Sequence, residues 1–76
     1  MKPHLMPRAE FFGSKGIVAQ SNLGAYIVRD GNVYEAGVEI DVDTIAVVDQ
    51  TTDNNKIKMM LDNVVYDIDR IREEFR

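Results

Sequence analysis

The chain of 76 residues has no cysteine, one histidine (His4) and two prolines, both within the first seven residues. Without cysteine there is no disulfide, and with one histidine there is no Cys/His metal cluster to staple a small core. No run approaches the roughly 20 apolar residues of a membrane-spanning helix. The opening M-K-P-H-L-M-P-R lacks the apolar centre of a signal peptide. These absences predict a soluble cytoplasmic protein with no membrane partner and no cofactor. A single domain of this length buries only about 60% of the surface its unfolded form exposes. Extra burial is therefore expected from self-association, which makes a homo-oligomer the first partner to expect.

Charge of either sign is unevenly placed. Residues 1–29 hold Lys2, Arg8, Lys15 and Arg29 against Glu10 alone, a net +3, whereas residues 30–76 hold twelve acids against five bases, a net −7. An acidic body with a basic leader is a poor footprint for duplex nucleic acid, where a basic stripe is needed. It suits a basic protein partner better, although an acidic surface is also an ordinary means of staying soluble.

What is present is strand chemistry, centred on Leu23 to Val42, L-G-A-Y-I-V-R-D-G-N-V-Y-E-A-G-V-E-I-D-V. Asp30-Gly31 reads as a two-residue type I′ turn, because positive φ at both central positions carries no Cβ penalty at glycine. That turn pairs Val28 with Val33 and Ile27 with Tyr34. One face then gathers Leu23, Ala25, Ile27, Tyr34, Ala36, Val38, Ile40 and Val42. The acids Glu35, Glu39 and Asp41 fall on the other face, joined by Asp43 just beyond. Gly37, within the long second arm, predicts a bulge or bend.

On either side the pattern extends. Residues 1–6 read as a flexible leader, and a short helical turn from about Pro7 to Phe12 is closed by Gly13. Ile17–Ala19 is a short β-prone run, Asp43–Val48 a further strand, and Asp49–Asn55 a polar loop. Lys56–Ile68 reads as a second hairpin around Asp62-Asn63, with Lys58 opposite Asp67 and Lys56 opposite Asp69. Asp67 or Asp69 then caps a final helical turn carrying Ile71 and Phe75. The fold class expected is mostly β: a small bent antiparallel sheet or SH3/Sm-like barrel of about five strands, with short N- and C-terminal helices.

At Asp30-Gly31-Asn32-Val33-Tyr34 and Ala36-Gly37-Val38 the chain resembles the first motif of Sm-like proteins, where a D-G turn, an aromatic and a glycine mark a bent second strand. The compact closing hairpin strengthens the likeness, which spans residues 24–68. In that family, barrels join edge strands into rings and bind RNA in the central pore, and some serve as assembly platforms. Two family features are missing: Asp43-Thr44-Ile45 stands where the loop asparagine would be, and Leu61-Asp62-Asn63 where the closing R-G-type motif would be.

Catalytic chemistry has little to stand on. Asp41, Asp43, Asp49 and Asp53 lack the spacing of a calcium loop and read as solvated strand-end acids. Gly13-Ser14-Lys15-Gly16 lacks the spacing of a phosphate-binding loop. Ser14 and Ser21 have no base beside them, since His4 falls in the leader. The outward apolar residues are more suggestive. Tyr26, Val28 and Val33, with Met60 and Val65 of the second hairpin, form an interface candidate, to be covered by Phe11 and Phe12, by Ile71 and Phe75, or by another subunit. The sequence thus predicts a non-enzymatic binding or regulatory module acting through protein contacts as a homo-oligomer, with Glu35, Glu39, Asp41 and Asp43 as an acidic face for a basic partner. An Sm-like RNA binder, with a positive groove built from Arg8, Lys15 and Arg29, ranks second. A structural component of a larger assembly such as a virus particle ranks third.

Overall fold

The computed structural model describes residues 2–76. Five antiparallel strands form one sheet: β1 (His4–Pro7), β2 (Gly16–Ser21), β3 (Ala25–Asp30), β4 (Val33–Asp41) and β5 (Thr44–Thr51). Three α-helices accompany them, α1 (Arg8–Phe12), α2 (Ile57–Tyr66) and α3 (Ile68–Glu74), with a 3-10 turn at Asn54–Lys56 leading into α2. The strand order β1-β5-β4-β3-β2 is a four-strand meander with β1 added beside β5, so β1 and β2 are the two edges of an open sheet. The chain passes from one edge to the other through α1, over one face. After β5 it crosses to the opposite face as α2 and α3.

The central hairpin has its predicted faces and a turn displaced by one residue. Asp30 pairs with Val33, Arg29 with Tyr34 and Ile27 with Ala36, two residues removed from the expected register. A slip of two preserves which side each residue faces, so Ala25, Ile27, Ala36 and Val38 share one buried face as expected. Leu23 and Val42 do not join them, because both lie in turns and are exposed. Gly31 alone is positive, at φ 65°, and Asn32 is not, which is the pattern of a type II′ turn rather than type I′.

Gly37 marks a real irregularity. The β4–β5 register shifts between Ala36 and Gly37, and again between Glu39 and Asp41. A Cβ at Gly37 would lie 2.6 Å from both Cγ2 of Ile45 and Cζ of Phe11. The glycine therefore opens the hollow that receives the Phe11 ring.

Three expectations are corrected. Residues 56–68 are not a hairpin: α2 runs through Asp62-Asn63 without a turn. The apolar residues Ile57, Met60, Leu61, Val64, Ile68, Ile71 and Phe75 recur every three or four positions and all face the sheet. The charges pair along the helices, Lys58 with Asp62 at 2.8 Å and Arg70 with Asp67 at 3.0 Å, rather than across strands. Nor are the first residues a free leader. His4–Pro7 pair with Thr44–Val47 as strand β1, and Asp49–Thr51, read as loop, lengthen β5. Met1 lies outside the described residues. The short helix ending at Gly13 is found as predicted, as Arg8–Phe12 with the Gly13 N–H donating to Ala9 O at 2.8 Å.

Each face of the sheet carries its own core. On one, Met60, Val64, Ile68 and Ile71 of α2 and α3 pack on Ala25, Ile27, Ala36, Val38 and Ala46. On the other, Phe11 of α1 packs on Val28, Ile45 and Val47, with Met6, Phe12 and Tyr26 at the margin. Arg72 ties α3 to β4 and to the β2–β3 turn by donating from Nε to Glu39 O (2.9 Å) and from Nη2 to Leu23 O (2.7 Å).

Candidate functional site

The structure removes two of the five predicted interface residues from the surface. Val28 is fully buried beneath α1 and Met60, 5% exposed, lies in the α2/α3 core. Neither is available to a partner, which corrects their assignment as interface residues. Val65 is half-buried against the same core as Met60. Tyr26 is half-buried, its ring meeting Phe12 edge-on at 5.1 Å between centroids. Val33 is half-buried at the head of β4. The second apolar face of the sheet is thus covered by the N-terminal Phe11 and Phe12, one of the three covers the sequence allowed.

The predicted acidic face is half neutralised from within. Glu39 meets Arg8 at 3.2 Å and Glu35 meets Lys15 at 3.5 Å. Arg8 also lies over the rings of Phe12 and Tyr26, at 5.0 and 5.7 Å from their centroids. The Tyr26 hydroxyl first, and the Glu39 carboxylate after it, hold its guanidinium charge and raise its pKa further. The basic N-terminal segment and the acidic body are therefore complementary partners inside one chain. Asp41 and Asp43 remain exposed in the β4–β5 turn, where the Asp43 N–H donates to Asp41 Oδ1 at 2.9 Å. That amide and the Thr44 hydroxyl lower the pKa of Asp41.

Reactive chemistry is sparse. Among the described residues no three His, Cys, Asp or Glu side chains come together as a metal-binding group. Ser21 Oγ is occupied as acceptor for the Leu23 N–H, and His4 Nδ1 lies 3.3 Å from Lys2 O on the surface. Lys15, in the segment with a superficial likeness to a phosphate loop, faces Glu35 and the Phe11 ring.

What the fold leaves open is a sheet edge. β2 pairs with β3 on one side only, so its other side presents unpaired N–H and C=O groups, a template for another strand. Ile17 and Val18 are 51% and 43% exposed, and Leu23 in the adjoining turn is also exposed. The β2–β3 register shifts between Ile17 and Ala19, leaving Val18 as a bulge residue. Ile17–Ala19 was legible as a strand. Its position as an edge was not, because an edge is defined by which strands fail to pair. A separate exposed pair, Met59 and Tyr66, lies two turns apart along α2.

Comparison with known proteins yields no match to a family model, to a curated protein or to a solved structure.

Proposed function

We propose that this chain is a small non-enzymatic binding module that acts through contacts with another protein chain and self-associates. The observation that carries this reading is the β2 edge, where Ile17 and Val18 are half exposed beside unpaired backbone while both faces of the sheet are covered by the chain's own helices. An edge of this kind is recognised by an added strand: main-chain hydrogen bonds supply affinity and alternate side chains supply selectivity. The engagement of Arg8 and Lys15 with Glu39 and Glu35 favours a protein partner over RNA, because two of the three bases of a positive groove are already paired.

Sedimentation over a concentration series tests this. The mean mass of the wild type rises with concentration. A wild type that stays monomeric at hundreds of micromolar, and instead retards a single-stranded RNA in a mobility shift, replaces this reading with RNA binding.

A further inference from the structure

The two free edges of the sheet differ in a way that selects both the partner and its symmetry. The Arg8 N–H donates to Asp43 O at 2.7 Å, continuing the β1–β5 ladder by one pair. Amide directions alternate along an extended strand, and Pro7 is extended, at φ −60° and ψ 140°. Residue 7 therefore directs its amide position away from β5, as do residues 5 and 3. Two of these three outward positions are proline, which has no N–H to donate. The outer edge of β1 is blunted against strand addition at the positions where it matters.

The sequence of β2 carries no such block: Gly16–Ser21, G-I-V-A-Q-S, contains no proline and no charge, and the bulge at Val18 is the one irregularity along it. Every copy carries a net −4, so approach of two copies is opposed over most of the surface, and an uncharged strand with exposed Ile17 and Val18 is where they meet without like charges in contact.

Resting on the module reading above, we infer that the partner of β2 is β2 of a second copy, paired antiparallel about a two-fold axis into one continuous ten-stranded sheet. The pairing is isologous and closed. Both β2 edges are consumed, and the edges remaining at the ends of the long sheet are the two proline-bearing β1 strands. A head-to-tail ring would have to join β1 to β2 and would meet the prolines at every contact. Six residues a side bury less than the roughly 1,200 Å² of a standard interface, so this is a weak dimer forming at micromolar concentration.

The absence of cysteine makes the contact directly readable. Single cysteines placed in turn at Ile17, Val18 and Gln20 are oxidised under mild conditions, with Leu5→Cys on β1 and Tyr66→Cys on α2 as comparisons. Near a two-fold axis a residue faces its own copy, so at least one β2 variant is trapped as a covalent dimer while Leu5→Cys and Tyr66→Cys are not. In sedimentation, Ile17→Lys weakens association at least about tenfold with the circular dichroism of the wild type retained. Dimers that cross-link only through Leu5→Cys or Tyr66→Cys overturn the β2 assignment and leave the self-associating module standing. So does a ring of six or seven copies. A wild type that never leaves the monomer removes both.

Discussion

On one face of the sheet, two helices press Met60, Val64, Ile68 and Ile71 onto a floor of Ala25, Ile27, Ala36, Val38 and Ala46. On the other, a helix of five residues covers Val28, Ile45 and Val47 with the single fully buried ring of Phe11. The floors differ to match. Beneath the helices, β3, β4 and β5 each contribute an alanine, which lets a helix backbone lie close and spreads the contact over many side chains. Beneath α1 the floor is of branched residues with one opening, at Gly37, shaped for one ring. One face is redundant and the other depends on an anchor, and substitutions should report that difference.

The largest expected effect is at the anchor. Phe11→Ala removes the only buried aromatic of its face and costs about 3–5 kcal/mol, measured by urea unfolding. Met60→Ala on the other face removes one of several contacts that surround it and falls toward the lower end of the range of about 2–5 kcal/mol. Equal losses at the two sites would break the comparison. The hollow that receives the ring gives the next effect. Gly37→Ala places a methyl 2.6 Å from Phe11 and Ile45, and such overpacking costs about 1–3 kcal/mol. In the double variant with Phe11→Ala the added methyl costs less than it does alone, because the ring it would strike is gone and only Ile45 still stands in its way. Strictly additive losses would show that the cost at Gly37 lies with Ile45 or the bend of β4 and not with the ring.

A substitution outside both cores calibrates the scale. Gly31 has open space around it, so Gly31→Val strains only the backbone at φ 65°. It should cost more than about 1 kcal/mol, and an unchanged melting temperature would dismiss the turn. The smallest effect concerns Asp41, whose turn carries the Asp43 carbonyl that accepts from the first residue of α1. Its lowered pKa means that the folded state favours the ionised form. The contribution is present above the ordinary carboxylate range and is lost as pH falls through the lowered value. Asp41→Asn should lower the neutral side of the stability curve slightly, so that the acid limb is flatter, and leave the acid end nearly unchanged. An acid limb identical to that of the wild type would remove the argument.

The sequence by itself determined the hairpin of β3 and β4 and the face each residue takes, because alternation has a period of two and survives a turn misplaced by one residue. It determined the short helix ending at Gly13 and the bend at Gly37, where residue chemistry leaves few choices. It also contained the helical period of Ile57, Met60, Val64, Ile68, Ile71 and Phe75. The same stretch fits two cross-strand charge pairs, so a local reading can settle on either period, and only packing against a sheet face selects one. Tertiary structure alone decided that Val28 is interior, that Arg8 and Lys15 find their acids within the same chain, and that β1 and β2 become the two edges of the sheet. Each of these depends on which strands become neighbours and which do not, a matter of contacts between residues far apart in the chain that no local period encodes.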